Sequence, residues 1–347
     1  MNIAYEKISS LPSSSDAASP SAQASSQYET FAQAMVDLKN ALSPILGLIP
    51  RGAPVAYIDY PVHQNVGDLL IMLGTEQFFR DHALSIVYRA SIKDFHALPA
   101  KWRRPETVIL CHGGGNLGDI YPPHQSLRER LIAKYPNNRI IILPQTIHFA
   151  DPKHLAKSAE SMRRHCDLHI FTRDEISYRL ARDNGFSKNI YLSPDMAHQL
   201  WPRYAMENVP VSQGKTLFLI RTDLEKSAVP TALVDEQANF VDWSNLLKPI
   251  DPVIIKFFTL SLRLNGYLGN VLPLRRMWFS YANMLVRRAI ALYQPHEKVC
   301  TSRLHGHILA CLMAKPSRLL DNSYGKNSAY FRAWTQRIGA CQLESTK

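Results

Sequence analysis

Short apolar runs alternate with segments of helical spacing from Val55 to about Leu200. The runs predict strands, because a strand covered on both faces of a sheet is apolar at nearly every position. The predicted strands are Val55–Tyr60, Leu84–Tyr88, Val108–Cys111, Ile140–Leu143, His169–Thr172 and Ile190–Leu192. The predicted helices are Leu69–Phe79, Ser126–Tyr135, Lys153–His165 and Glu175–Asn184. Such alternation predicts a doubly wound parallel sheet.

A second region of the same kind begins near Lys215. Its predicted strands are Thr216–Ile220, Phe240–Trp243, Val299–Thr301 and Arg318–Leu320, and its predicted helices are Trp278–Tyr293, Ile308–Ala314 and Ser328–Ile338. The predicted fold class is therefore α/β, with two doubly wound Rossmann-like domains. We place the N-terminal domain at residues 53–205 and the C-terminal domain at residues 206–340.

The N-terminal segment has a different composition. Ser9–Gln27 is rich in Ser, Ala and Pro and has almost no large apolar residue, so residues 1–27 are predicted to be a disordered leader. Residues 28–52 are predicted to form an N-terminal helix. Its apolar positions are Phe31, Met35, Leu38, Leu42 and Leu46.

Residues 252–293 depart from the α/β pattern and are unusually apolar. No acidic residue lies between Asp251 and Glu297, whereas lysine and arginine recur throughout the segment. Apolar side chains interleaved with only basic charges predict a surface that lies on an anionic bilayer. A core helix pair with solvated arginines, or an oligomer interface, is the alternative interpretation.

The composition narrows the class of partner. The net charge is +11, from 40 basic and 29 acidic residues, which suits an acidic substrate, nucleic acid or an anionic membrane. The basic residues are dispersed and no nucleic-acid-binding motif is present, so we expect no nucleic acid partner. The five cysteines form no CxxC pair, which favours free thiols and no zinc site. Without a signal peptide or a long apolar run, we expect a cytoplasmic protein, either soluble or peripheral on the inner face of the cytoplasmic membrane.

The segment Thr301–His307 combines a fixed cation and a titratable imidazole, Arg303 and His305, between a predicted strand and a predicted helix. A helix N-terminus favours anions, and arginine offers a planar fork to a carboxylate or phosphate. Histidine can transfer a proton near neutral pH. The segment therefore predicts a site for a small acidic substrate that requires proton transfer.

Polar motifs also follow other predicted strands. They are Asn65–Asp68, Gly113–Asp119, Gln145–His148, Thr172–Ser177, Ser193–His198 and Leu320–Lys326. Open α/β sheets bind ligands at the carboxyl ends of their strands, so we expect these motifs to lie at binding surfaces. Gly113, Gly115 and Gly118 have the spacing of GxGxxG, which on its own does not support a dinucleotide site, and no P-loop lysine follows, which leaves a Walker-type site unsupported.

In this order and spacing, these motifs and Arg303-Leu304-His305-Gly306 resemble the polysaccharide pyruvyl transferase family over about Val55 to Trp334. The resemblance implies transfer of the pyruvyl group of phosphoenolpyruvate onto two hydroxyls of a sugar. The product would be a cyclic pyruvate ketal on a bacterial exopolysaccharide or its lipid-linked precursor. The resemblance also implies that the two domains face a cleft, as in glycosyltransferase-B enzymes. Phosphoenolpyruvate is the expected donor substrate, and no metal or other cofactor is expected.

The resemblance and the strand-end positions give a set of candidate site residues. His305 is the candidate general acid, Arg303 binds the anionic donor, and Asp68 is the candidate base. The substrate-binding candidates are Arg173, Arg221, Asn65, Gly114, Gly115, Asn116, Gln145, His148, Asp195, Asn322 and Lys326. Asp195 is a second candidate for the base.

Several of these residues have plain structural alternatives. Asp68 could cap a helix, Arg173 could form an exposed ion pair, and Lys326 could be a solvated lysine. The glycine run could be a tight turn, and His148 could be a structural histidine. Two other functions also stay open: a nucleotide-sugar glycosyltransferase of the same architecture, and a non-catalytic, membrane-associated glycan assembly factor. The complete Arg303/His305 motif counts against the last.

Overall fold

The computed structural model describes residues 20–205, 212–222, 240–268, 272–321 and 325–344. The strands in these ranges are β1 (Pro54–Ile58), β2 (Ser85–Ala90), β3 (Val108–Cys111), β4 (Gly114–Gly118), β5 (Ile140–His148), β6 (Leu168–Thr172), β7 (Asn189–Leu192), β8 (Ser212–Leu219), β9 (Phe240–Val241), β10 (His296–Thr301), β11 (Ser317–Leu320) and β12 (Cys341–Glu344). The helices are α1 (Pro20–Asn40), α2 (Ser43–Gly47), α3 (Val66–Asp81), α4 (Pro122–Lys134), α5 (Pro152–Arg163), α6 (Glu175–Asp183), α7 (Asp251–Tyr267), α8 (Leu274–Tyr293), α9 (Leu304–Leu312) and α10 (Lys326–Tyr330).

The described strands form two parallel sheets. The first has the order β2-β1-β3-β5-β6-β7, with β4 also paired to β5, and the second has the order β12-β11-β10-β8-β9. All pairings in both sheets are parallel. The predicted α/β class with parallel sheets is confirmed. The second sheet ends at Glu344, slightly beyond the predicted domain boundary at residue 340.

The two sheets share one strand order. In each, the first strand pairs with both the second and the third along the chain, so the order reverses between β1 and β3 and again between β8 and β10. In open α/β sheets, the loops at the carboxyl ends of the strands run in opposite directions at such a reversal. They leave a crevice between them that binds ligands. The fold therefore offers two crevices, one at each reversal.

Helix α3 packs against elements that belong to both sheets. It is buried along most of its length and contacts α8, α9 and the 3₁₀ turn at Met196–Leu200. Gly74 permits this approach, since a Cβ at that position would lie 2.1 Å from the carbonyl oxygen of Met196. The first turn of α3 is therefore held in a fixed position relative to both sheets.

The N-terminal helix begins earlier than the sequence indicated. Helix α1 starts at Pro20, so residues 20–27 of the predicted disordered leader are helical, while residues 1–19 lie outside the described residues. Further along the helix, Met35 is fully buried and the ring of Phe31 lies 5.8 Å from that of Trp201. Once this apolar face is docked, adding further turns costs little, because helix propagation is far easier than nucleation.

Two strands were not predicted from the sequence. Strand β4 has the sequence GGNLG, which carries no apolar run, and it pairs with the end of β5 across a register shift. Strand β12 extends the second sheet beyond β11. The apolar and basic segment 252–293 forms α7 and α8, which pack on each other. None of the described helices is both long enough and apolar enough to cross a membrane.

Candidate active site

A cavity of about 580 Å³ lies where the carboxyl-end loops of the two sheets approach each other. From the first sheet it is lined by His63, Gln64, Asn65, Asp68, Gly115, Asn116, Tyr121, His124 and Arg173. From the second it is lined by Arg221, Thr222, Asp242, Trp243, Ser244, Leu247, Arg303, Leu304, His305, Lys326 and Asn327. The loops after β1, β8 and β10 all contribute, so both reversal points open into this one cavity.

His305 is held by a carboxylate from the other sheet. Its Nε2 lies 3.3 Å from Oδ2 of Asp195, which is fully buried. The same Oδ2 accepts a hydrogen bond from Nη1 of Arg173 at 2.7 Å, and Oδ1 accepts one from the backbone of Ala197. Asp195 therefore joins the imidazole of α9 to the guanidinium that follows β6.

The pKa of Asp195 lies well below its usual range. Burial by itself raises this pKa, but the charge and hydrogen bond of His305 and the charge of Arg173 outweigh burial and favour the carboxylate. The carboxylate beside Nε2 fixes the orientation of the imidazole ring. The second ring nitrogen, Nδ1, is directed toward α3, and it lies 2.6 Å from the point that a Cβ on Gly67 would occupy.

Arg303 is bound by a second carboxylate. Its Nε donates to Oδ1 of Asp242 at 2.7 Å and its Nη2 donates to Oδ2 at 2.6 Å, so the carboxylate binds the guanidinium in a bidentate manner. Asp242 also accepts hydrogen bonds from both the backbone and the hydroxyl of Thr222. Burial by itself raises the pKa of the Asp242 carboxyl. The hydrogen bond and charge of Arg303 lower this pKa by more than burial raises it, so the pKa lies below its ordinary value. The ion pair fixes Arg303 at the cavity wall.

The first turn of α3 supplies Asn65 and Asp68 to the cavity. Asn65 is the N-cap, and its side-chain oxygen accepts from the backbone N–H of Gly67 at 3.0 Å. The alternative in which Asp68 caps this helix is therefore wrong, because Asn65 already occupies that role. Asp68 instead approaches His63, with 3.6 Å between Oδ2 and Nε2. Its carboxylate is left at the cavity surface.

The glycine run forms strand β4 and brings backbone close to Arg173. A Cβ on Gly115 would lie 3.1 Å from Nη2 of Arg173. The next residue, Asn116, is held by Gln145, whose side chain accepts from the Asn116 backbone N–H at 3.2 Å and donates to its side-chain oxygen at 3.0 Å. Gln145 is fully buried beneath the cavity wall, so it positions Asn116.

The structure brings most of the predicted site residues to this cavity. Those in its lining are Asn65, Asp68, Gly115, Asn116, Arg173, Arg221, Arg303, His305 and Lys326. Asp195 and Gln145 lie behind it and hold lining residues. Gly114 and His148 are outside the described lining, and Asn322 is outside the described residues. Arg173 is not an exposed ion pair, since it is buried and paired with a buried carboxylate.

Sequence reasoning missed two parts of the site. Asp242 comes directly after β9, but the strand predicted at Phe240–Trp243 places Asp242 inside it, where the strand-end rule does not select it. His124 lies in the first turn of α4, and its Nδ1 is 2.9 Å from both carboxylate oxygens of the buried Asp59. His124 and Asp59 are separated by 65 positions in the sequence, so only the fold brings them together.

One buried cluster has a composition that could hold a metal ion. It consists of His307, Cys311 and Cys341, outside the lining of the cavity. Both nitrogens of the His307 ring already have hydroxyl partners, Ser317 at 2.7 Å and Thr335 at 2.8 Å. Burial lowers the pKa of His307 to about 3, so the ring is neutral in the folded protein. The hydroxyl groups thus satisfy this histidine without an ion.

The family model for polysaccharide pyruvyl transferase matches residues 65–324, which include sixteen of the twenty residues of the cavity lining. The chain belongs to the polysaccharide pyruvyl transferase family. Family membership makes the protein a transferase and supports pyruvyl transfer onto a polysaccharide as its activity.

Named relatives agree with this family. The chain is 40% identical over 312 residues to EpsO of Bacillus subtilis (strain 168), named as a pyruvyl transferase, with 89% of this chain and 94% of EpsO covered. It is 27% identical over 304 residues to Pyruvyl transferase 1 of Schizosaccharomyces pombe, with 84% of this chain and 71% of that protein covered. A crystal structure of a functionally uncharacterised protein from Klebsiella pneumoniae subsp. pneumoniae superposes with a TM-score of 0.60 at 19% identity, covering 89% of this chain and 99% of that one, and shows a shared fold.

The charge of the cavity suits the pyruvyl transferase family. The lining contains four fixed cations, Arg173, Arg221, Arg303 and Lys326, against the two carboxylates of Asp68 and Asp242. A surplus of positive charge inside a concave, partly desolvated site attracts and holds anions. With Asp195 behind the lining as the partner of Arg173, four cations face three carboxylates, and this surplus of positive charge suits an anionic ligand.

Proposed function

We propose that this pyruvyl transferase takes the pyruvyl group from phosphoenolpyruvate and joins it to two hydroxyls of one sugar as a cyclic ketal. The acceptor is a bacterial exopolysaccharide or its lipid-linked precursor. The observation that carries the proposal is the Asp195–His305 pair beside Arg173 and Arg303, which unites a proton-transfer group with anion ligands in one cavity. The proposed architecture is a glycosyltransferase-B-like pair of domains that face this cavity.

The donor sets the first chemical requirement. Phosphoenolpyruvate carries a carboxylate and a phosphate, which arginine binds through paired hydrogen bonds. Arg173 and Arg303 are the proposed ligands, with Lys326 as an added point charge. Because both arginines are already fixed by carboxylates, little side-chain entropy is lost when the donor binds.

Proton transfer sets the second requirement. His305 gives a proton to the C3 methylene of the donor, and positive charge develops at C2. One sugar hydroxyl attacks C2 and loses its proton, and the C2–O bond to phosphate then breaks. The second hydroxyl attacks the same carbon and closes the ring, and its proton passes to the released phosphate, while the proton lost by the first hydroxyl balances the one that His305 gives to C3. Inorganic phosphate leaves with the bridging oxygen, so the acceptor gains one pyruvate less one water.

Each residue has a distinct proposed role in these steps. His305 is the general acid, a role typically worth about 10² to 10⁴ in rate. Asp195 is a positioning residue that keeps the imidazole oriented. Asp68, at the cavity surface on the first turn of α3, is the proposed acceptor of a hydroxyl proton.

Two substitutions test the assignment. Arg303→Ala removes an anion ligand and should mainly raise KM for phosphoenolpyruvate, whereas His305→Ala should mainly lower kcat. His154→Ala is the matched control, since that imidazole is exposed and lies outside the cavity lining. The measurement is phosphate release together with the mass of the acceptor glycan. A His305→Ala variant with near wild-type kcat would show that the proton donor is another group.

The donor itself needs a separate test. Thermal stabilisation of the protein by phosphoenolpyruvate, and not by uridine or guanosine diphosphate sugars, is the expected result. Stabilisation by the nucleotide sugars alone would favour the glycosyltransferase alternative. The predicted absence of a metal requirement is tested by retention of activity after dialysis against a chelator.

A further inference from the structure

Helix α7 carries an apolar stripe on its outer face. Most of the exposed large apolar side chains in the described part of the chain lie on or beside this helix. The stripe consists of Val253, Phe257, Leu260, Leu264, Tyr267 and Leu268, and each is more than half exposed. Their spacing of three or four residues puts them along one side of a helix about 25 Å long.

The opposite side of α7 already has its partner. Ile255, Phe258 and Leu262 are buried, and the ring of Phe258 packs edge-on against Trp278 of α8 at 5.5 Å. Apart from Tyr267, whose ring lies 4.9 Å from that of His96, the stripe is therefore additional to the side that holds the helix on the protein. An exposed apolar row of this size on a soluble surface marks an interaction site.

The charges around the stripe are of one sign. Lys256 and Arg263 are exposed on the same helix, and Arg276 is exposed at the start of α8. No acidic residue lies between Asp251 and Glu297, and Asp251 itself is buried in contact with Tyr281 and Arg288. A second copy docked on this face would set basic groups against basic groups, which is costly. A bilayer with anionic lipids matches both the apolar row and the positive charges.

Arg275 does not belong to this charged set. Its guanidinium donates to the buried Asp94 at 3.0 Å and lies over the ring of Tyr88, so it holds α8 on the first sheet. Substituting Arg275 would disturb the fold. The charges to be tested are therefore those of Lys256, Arg263 and Arg276.

The position of α7 relates the stripe to the cavity. Leu247 is part of the cavity lining, and α7 begins four residues later at Asp251. Helix α8 is attached to the loop after β1, since the indole N–H of Trp278 donates to the carbonyl of Pro61 at 2.8 Å. The helix pair is thus fixed beside the cavity, and we infer that the stripe and its basic residues dock this protein on an anionic bilayer.

Flotation with lipid vesicles tests the inference on the full-length protein. It should float with vesicles of phosphatidylcholine and phosphatidylglycerol in equal parts, and much less with phosphatidylcholine alone. Since each basic residue at such a surface contributes about 1 kcal/mol, replacing Lys256, Arg263 and Arg276 by glutamine should weaken binding by about 100-fold. Phe257→Asp with Leu264→Asp should abolish it, because both side chains would otherwise enter the lipid boundary.

A matched control removes the same charge from another surface. Arg130→Gln, Lys157→Gln and Lys188→Gln change exposed basic residues far from α7 in sequence, and this triple variant should float like the wild type. Equal weakening in both triple variants would show that net charge alone is responsible and would overturn the docking surface.

Two other results would also overturn the inference. The first is a folded wild-type protein that fails to float with the anionic vesicles at low salt. The second is a stable dimer in light scattering that Phe257→Asp converts to a monomer, since a second copy would then be the occupant of the stripe. Flotation needs neither donor nor acceptor, so its failure would leave the proposed reaction untouched.

Discussion

Gly67→Ala tests whether the position of the His305 imidazole against α3 matters for catalysis. A Cβ at Gly67 would lie 2.6 Å from Nδ1, 2.9 Å from Cγ and 3.0 Å from Cβ of His305. The closest of these is about 1 Å inside the ordinary contact distance of roughly 3.5 Å between heavy atoms. Because the Cβ of His305 is also crowded, rotating the ring cannot relieve the clash, and the whole side chain must move.

The size of the effect follows from that displacement. The hydrogen bond between Nε2 and Asp195 is already 3.3 Å long, so a shift of about 1 Å away from α3 changes or breaks it. A misplacement of about 1 Å at a reacting group can cost about 100-fold in rate. Stability should respond differently, since alanine is up to about 1 kcal/mol better than glycine inside a helix and offsets part of the strain.

We therefore expect Gly67→Ala to lower kcat by about 100-fold while KM for phosphoenolpyruvate and the melting temperature change little. Gly47→Ala is the control, because Gly47 is also helical and a Cβ there would meet no atom within 4 Å. The assay is phosphate release under saturating donor. Wild-type kcat in folded Gly67→Ala would refute the idea that His305 acts from its position against α3.

Three further predictions concern pH, packing and anion binding. Burial lowers the pKa of His112 and of His198 to about 4 from an unfolded value of 6.5, so the unfolded chain binds more protons between these limits and stability falls as pH drops through them. At about pH 5, each of these two histidines should lower the free energy of unfolding by roughly 2 kcal/mol relative to neutral pH. Equal free energies of unfolding in urea at the two pH values would contradict this prediction. Met35→Ala should destabilise the protein by about 2 to 5 kcal/mol in the same assay, while Val36→Ala on the exposed side of α1 should not. Arg303→Lys keeps the positive charge but loses the planar guanidinium that donates paired hydrogen bonds, so KM for phosphoenolpyruvate should rise by about 10- to 100-fold. An unchanged KM would show that Arg303 does not bind the donor.

Local sequence patterns were sufficient to predict ten of the twelve described strands. Strands such as β3 and β6 are buried at every position, and a continuous apolar run is the direct signature of that environment. Strand β4 has no such signature, because its glycines pair by backbone alone and give no side-chain pattern. The extent of α1 was missed for a related reason: Ser and Ala are compatible with a helix, and only tertiary docking decides between helix and coil.

The site could be predicted as a set of strand ends but not as a set of contacts. The rule that ligands bind at the carboxyl ends of strands is sufficient to group Arg173, Arg303 and His305. It does not predict that Arg303 grips Asp242, or that Asp195 and His305 meet across 110 positions of sequence. Such contacts depend on how the two sheets pack, and no local pattern encodes that packing.

Arg173 and Arg303 share one arrangement, in which each is matched to a carboxylate from a neighbouring loop. Arg303 pairs with Asp242 and Arg173 with Asp195. Taking one partner of a buried pair away is costly because a charge is left without compensation, so these aspartates are required wherever the arginines are buried. The same pairing holds each guanidinium in place before an anion arrives, and a site that needs no rearrangement binds and polarises its ligand at lower cost. Asp195 and Asp242 are therefore best understood as supports for the cations of the site, and substituting Asp242 by asparagine should impair donor binding even though the change removes a negative charge.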